Sequence, residues 1–222
     1  MSHAPIVLIM GPPGAGKGTQ ATHLVEVYSL KHVATGDLLR AAVAQGTPLG
    51  LEAKSYMDVG GLVPDDVIIG MIRELVDVLP ADKGILLDGF PRTQPQAVSL
   101  DETLGSLERS VDLVLDIRVP EDVLVERLSG RFICRDCQRP YNVSSKPPAV
   151  AGVCDHCGGE LYQRADDTSD AVRNRLQVYA NDTEPVSSFY ADRGVLVTID
   201  GNRSPADVQA TIDESVATVA AR

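Results

Sequence analysis

The segment Gly11–Gln20, GPPGAGKGTQ, constrains this chain more than any other. It follows the apolar run Ile6–Met10 and precedes a stretch, Thr19–Tyr28, that suits a helix. Alone, such glycines mark a turn. Between a strand and a helix, and with Lys17 among them, they predict a loop whose backbone N–H groups turn inward around a polyphosphate. The helix that follows offers its positive end to the same anion, and Lys17 can reach the terminal phosphates. The general pattern of such loops puts Ser or Thr directly after the lysine. Here Gly18 intervenes before Thr19.

Apolar runs predict further strands at His32–Ala34, Ile85–Asp88, Val111–Val119 and Val195–Ile199. Helical patterns lie between them, over Asp37–Ala44, Leu49–Val59, Asp65–Leu79, Gln94–Leu104 and Pro120–Leu128, with Pro120 suited to a first helical turn. Ser169–Asp192 reads as one long helix, broken near Pro185. Ser204–Ala220 closes the chain, with Ser204 as cap and Pro205 as first helical residue. Repeated strand–helix alternation predicts an α/β domain, a parallel sheet covered on both faces. At 222 residues the chain forms one large domain with insertions, or one with a small satellite.

Lys and Arg total 20 against 31 Asp and Glu, a net charge of −11. Such a surface is a poor partner for nucleic acid, so an anionic substrate must meet arginines concentrated locally. The N-terminus lacks a signal-peptide pattern and no apolar run suits a membrane span. The expectation is a cytoplasmic protein without membrane or nucleic-acid partners.

Residues 130–167 break the alternation, being polar and rich in Cys, Pro and Gly. Such a stretch cannot bury a core of its own and needs a staple. Cys134-Arg-Asp-Cys137 and Cys154-Asp-His-Cys157, joined by residues 138–153, have the spacing of a closed tetrahedral thiolate cage. Zinc is the leading ion, structural and not catalytic. Iron fits the same cage, and disulfides or free thiols are the other readings. His156 reads as solvent-facing.

Asp88 ends a strand in ILLDGFPR, where a carboxylate beside the loop lysine suits magnesium; a turn or cap aspartate is the alternative reading. Arg92 follows a proline that fixes its backbone. Arg40 lies one turn beyond Thr35-Gly36-Asp37, and Arg127 and Arg131 share one helix face. Arg164 leaves the cysteine segment, while Arg173 and Arg175 point different ways from the next helix. Singly, each arginine suits a surface ion pair. As a set beside an anion-binding loop in an acidic protein, they point to phosphoryl transfer, which needs charge compensation and exclusion of water.

These residues resemble adenylate kinase of the long form, with a zinc-bearing lid, over nearly the whole chain. The matching motifs are GPPGAGKGT (11–19), TGDLLR (35–40), GLVPDD (61–66), LLDGFPRT (86–93), ERLSGR (126–131), the paired CxxC motifs, and RADD followed by VRNRL (164–176). The resemblance implies a P-loop NTPase-type fold with a five-stranded parallel sheet and two inserted mobile segments. Residues 1–33, 64–129 and 168–222 would be core, 34–63 a monophosphate-binding domain and 130–167 a lid that closes. It implies reversible phosphoryl transfer from Mg²⁺-bound ATP to AMP, giving two ADP, by a monomer. On the ATP side it implies Gly14, Ala15, Gly16, Lys17, Gly18, Thr19, Arg131, Tyr141 and Arg203, with Arg127 on the phosphates. On the AMP side it implies Thr35, Arg40, Gly61, Leu62, Val63, Gly89, Phe90, Pro91, Arg92 and Gln96, with Met57 and Val63 as an apolar slot and Gln96 reading the purine edge. Arg164 and Arg175 would close on the transferring phosphate and on that of AMP, counting on the AMP side as well, Asp88 would organise magnesium, and Asp166 and Asp167 would be lid-closing carboxylates. The departures are few: Phe132 after the lid arginine, Cys157 where some relatives use Asp, and Pro12 in the loop. A UMP/CMP-type kinase is the nearest rival, disfavoured by Thr35 and Gln96. A P-loop ATPase or GTPase switch is disfavoured by Gly18 and by the lack of an NKxD motif.

Overall fold

The computed structural model describes residues 4–80 and 82–220. Its centre is a parallel sheet of β1 (Ile6–Met10), β2 (Lys31–Ala34), β3 (Ile85–Asp88), β4 (Leu113–Arg118) and β8 (Leu196–Asp200), in the order β2-β3-β1-β4-β8. Every pairing is parallel, with Ile9 opposite Asp88 and Met10 opposite Asp116. β1 is central and buried throughout, which explains why it reads as an unbroken apolar run and not as an alternation.

The period of two still sorts its side chains between two cores. Ile6, Leu8 and Met10 pack with α4 (Asp65–Asp77), α5 (Gln94–Ser106) and α8 (Val186–Ala191), through residues such as Ile72, Leu100 and Tyr190. Val7 and Ile9 face the other way, toward α1 (Lys17–Tyr28), α6 (Glu121–Ser129), α7 (Ser169–Val178) and α9 (Pro205–Ala220), through Leu24, Leu128, Leu176 and Ile212. Two further helices, α2 (Thr35–Ala44) and α3 (Pro48–Met57), lie between β2 and α4 in the chain. Pro48 opens α3, and the Thr47 hydroxyl caps it by accepting the Gly50 N–H.

Several details depart from the sequence reading, one being that Arg131 lies in a strand beyond the end of α6 and shares no helix face with Arg127. The segment expected as one helix over Ser169–Asp192 is three pieces: α7, a π-helical turn at Tyr179–Thr183, then α8. The break therefore begins before Pro185, which is the N-cap of α8. Pro120 likewise caps α6 instead of starting it. Residues 130–167 hold a small antiparallel sheet that alternation did not announce: β5 (Arg131–Cys134), β6 (Pro140–Asn142) and β7 (Leu161–Tyr162), in the order β6-β5-β7. Among the described residues, no helix is long and apolar enough to cross a membrane.

Candidate active site

The loop between β1 and α1 is shaped by glycine at two points. Gly11 has φ +140°, and a Cβ there would sit 2.5 Å from the Ile117 carbonyl oxygen. Gly16, the N-cap of α1, is left-handed at φ +97°. Ala15 donates its N–H back to the Pro12 carbonyl (3.1 Å), and Thr19 donates to Gly16 (3.1 Å). Among the described residues, the N–H groups of Gly14, Gly16, Lys17 and Gly18 have no protein acceptor. Four inward donors at a helix N-terminus form a cradle for phosphate oxygens.

The Lys17 ammonium is folded onto its own loop, donating to the carbonyls of Gly11 (2.7 Å) and Pro12 (3.0 Å). Its pKa falls to about 8. Loss of hydration is the chief cause, opposed by Asp88 and reinforced by the cations Arg92, Arg175 and Arg131. An incoming anion would offset that loss of hydration and favour the charged ammonium. Asp88, at the carboxyl end of β3, has the His32 Nε2 at 3.6 Å from its Oδ2. A half-buried carboxylate beside the phosphate cradle has the hard oxygen chemistry that magnesium requires. Sequence reasoning missed His32, because nothing in a strand pattern says which neighbour a side chain will face.

A cavity opens next to Gly89, the residue after Asp88. Thr35, Leu39, Arg40, Met57, Gly61, Leu62, Val63, Ile68, Gly89, Arg92 and Gln96 line it, with Asp166 and Arg175 at its rim. One part of the lining is apolar and the other cationic, as a nucleoside monophosphate needs. Phe90 and Pro91 are buried behind this wall. Thr35 donates its hydroxyl to the Gly89 carbonyl (2.8 Å), and Arg92 Nε donates to the same oxygen (2.8 Å). Burial, together with Arg175 nearby, brings the Arg92 guanidinium down to about 10.

The remaining arginines converge, and acidic partners hold them. Asp167, buried, binds Arg131 through both oxygens, with Nε at 2.8 Å, and also takes Arg175 Nη1 at 3.1 Å. Asp166 takes the same Nη1 at 3.1 Å. Asp37 binds Arg40 at 2.6 Å and has Arg164 at 4.0 Å. Arg173 points away, exposed and paired with Asp170. Two site residues stand apart from this cluster: Arg127 donates to the Gly201 carbonyl (3.1 Å), and Arg203 pairs with Asp207 (3.7 Å).

The four cysteine sulfurs lie within 4.8 Å of one another, with Cys134–Cys157 at 3.4 Å and Cys137–Cys154 at 3.5 Å. None forms a disulfide. A tetrahedral zinc with bonds of about 2.3 Å sets its sulfurs about 3.8 Å apart, so the cage fits such an ion. The two knuckles match in their backbone. Gln138 N–H donates to the Cys134 carbonyl and Gly158 N–H to that of Cys154, and both residues have positive φ, +58° and +77°. His156 is exposed and outside the cage. Tyr141 is enclosed within residues 130–167 at 4% exposure, so its side chain is not presented to a nucleotide. Its hydroxyl accepts the Asp155 N–H (2.8 Å) and sits 3.4 Å from Cys154 Sγ.

Comparison with known proteins shows the family. The family model described as adenylate kinase matches residues 9–195. The chain is 51% identical over 210 residues to an adenylate kinase of Carboxydothermus hydrogenoformans, covering 95% of this chain and 98% of that one. It is 52% identical over 208 residues to an adenylate kinase of a Geobacillus species, covering 94% and 96%. It is 51% identical over 197 residues to one from Methanosarcina acetivorans, covering 89% and 91%. Matched over most of its length by that family model and by relatives at about half identity, the chain belongs to the adenylate kinase family.

Proposed function

We propose that the protein catalyses reversible phosphoryl transfer from Mg²⁺-bound ATP to AMP, giving two ADP. The observation that carries this reading is the pairing of two anion sites across one arginine cluster. The loop donors and Lys17 hold the donor's phosphates, while Arg40 and Arg92 line the pocket for the acceptor. Arg131, Arg164 and Arg175 lie where charge develops between the two. Transfer of this kind asks for positioning and charge compensation, and little covalent chemistry from protein. Magnesium, carried with ATP, neutralises phosphate charge, and Asp88 with Thr19 would hold it. Below a pH of about 8, Lys17 is a cation and places its charge on the transferred group. Arg127 would serve the donor's phosphates and Arg203 the adenine side. Tyr141 would contribute through its backbone only, since its side chain is enclosed.

In this reading residues 34–63 and 130–167 move against the core made of 1–33, 64–129 and 168–222, and their approach excludes water from the donor phosphate. Zinc is the lid ion, and a closed four-thiolate shell makes it structural. A monomer in the reducing cytoplasm, which keeps such thiols available for metal, completes the reading. A coupled phosphotransfer assay with ATP against AMP, GMP, UMP and CMP tests it. ADP formation from AMP is expected. ATP hydrolysis with no ADP made from AMP overturns the reading.

A further inference from the structure

We propose that Asp65 is a positioning residue that locks the Gln96 carboxamide in one orientation, and so sets a preference for 6-aminopurine over 6-oxopurine monophosphates. This rests on the acceptor reading above. The two ends of a glutamine amide have nearly the same shape but opposite hydrogen-bonding character. A free glutamine can therefore serve either purine edge. Gln96 is not free. Its Oε1 accepts the backbone N–H of Arg92 at 2.8 Å, and its Nε2 donates to Asp65 Oδ1 at 2.7 Å. The other carboxylate oxygen of Asp65 accepts the Thr93 hydroxyl at 2.8 Å. Thr93 is itself fixed as the N-cap of α5, accepting the Gln96 N–H at 3.3 Å. Asp65 is the first residue of α4, where the helix end favours a carboxylate.

A carboxylate only accepts and a backbone N–H only donates. Turning the amide over would set donor against donor at Arg92 and acceptor against acceptor at Asp65. Gln96 keeps one N–H and one oxygen lone pair for a ligand. The apolar walls Leu39, Met57, Val63 and Ile68 line the same pocket and give the base its slot. A 6-aminopurine offers an N–H at position 6 and an acceptor at N1. A 6-oxopurine offers an acceptor at position 6 and an N–H at N1, the reverse pair. With Oε1 on the 6-amino group and Nε2 on N1, the locked amide matches the first and opposes the second, which leaves buried polar groups unpaired.

The test compares AMP with IMP, which differ only in this exchange, using Mg²⁺-bound ATP and the full-length protein. Wild type is expected to favour AMP in kcat/KM. Asp65→Asn keeps the shape but lets residue 65 either donate or accept. It should lower the AMP-to-IMP ratio about tenfold, the worth of one hydrogen bond, while the Arg92 N–H still holds the other end. The AMP KM should rise while the ATP KM stays within about twofold. An unchanged ratio in a folded Asp65→Asn protein overturns the proposal. If that variant does not fold, Thr93→Val, which frees the second carboxylate oxygen, should lower the same ratio severalfold, and no change there overturns it. Gln96→Leu with an unchanged ratio also overturns it while leaving the AMP kinase reading intact. Failure of wild type to phosphorylate AMP defeats both.

Discussion

The core and the lid bury themselves by different means. The core spreads its cohesion over two aliphatic clusters on either face of one sheet, joined through alternate residues of β1. The lid has four buried residues in its cluster, two of them cysteines, and three strands of four residues or fewer. So few apolar contacts cannot offset the entropy of ordering such a segment. In the proposed reading residues 130–167 depend on an ion held by the four converging sulfurs, and the parallel sheet does not.

Removal of the metal is the sharpest way to break that comparison. Structural zinc sites contribute on the order of 10 kcal/mol to folding. Chelation should therefore abolish hydrogen-exchange protection in β5–β7 while β1, β3 and β4 keep theirs. Cys154→Ser should do the same. Equal loss of protection in the central sheet would show that core and lid are one cooperative unit.

Next in size, Lys17→Met should cut turnover by roughly 1,000-fold or more without loss of the fold, because it removes charge from the transition state and not from a core. It carries a second, opposite signature. Lys17 is held at about 8 against an ordinary 10.5, so between those values the unfolded chain binds the extra proton. From this group, stability rises with pH across that window, and below pH 8 the full cost of enclosing the cation is present. Without nucleotides, the variant should melt higher than wild type at pH 7, and the gap should close as the pH approaches 10. A gap that widens with pH would refute this assignment.

Arg40→Ala and Arg131→Ala sharpen the comparison kinetically. The first should raise the AMP KM, the second should impair ATP use or turnover, each on the order of 100-fold. A defect in ATP use alone from Arg40→Ala would misplace the acceptor site. The smallest effect is expected at Tyr141. Its hydroxyl already accepts the Asp155 N–H, so its own proton is free for Cys154 Sγ. Tyr141→Phe should weaken metal binding about tenfold, read by competition with a chromophoric chelator, with the metal-loaded lid keeping its fold. Unchanged affinity would make Tyr141 a packing residue only.

Much of this was legible from residue order. Near-continuous apolar runs marked β1, β3 and β4, because a parallel strand buried on both faces has no polar face to disguise it, while the edge strands β2 and β8 showed shorter or mixed runs. CxxC spacing marked the cage, because coordination geometry dictates it. The strands of residues 130–167 were not legible: two to four residues cannot show a period. Nor was the π turn at Tyr179–Thr183, where one extra residue per turn has no compositional mark. Asp65 reads as an ordinary first-turn aspartate. Its bond to Gln96, 31 positions away, exists only once α4 and α5 are side by side. Tyr141 falls to the same cause, since whether an aromatic faces ligand or metal is decided by folding.

Asp37, Asp166 and Asp167 have a consequence beyond geometry. Arg40, Arg131 and Arg175 meet no solvent ion as their first partner, because the chain supplies its own. In the proposed reaction a phosphate entering this site would exchange with tethered carboxylates and release few dissolved ions. The released carboxylates are then free to repel one another or to seek new cations. Nucleotide affinity should therefore fall less with added salt than a count of the arginines implies, and the work of charging the site is spent inside the molecule, as movement of the segments that carry those aspartates.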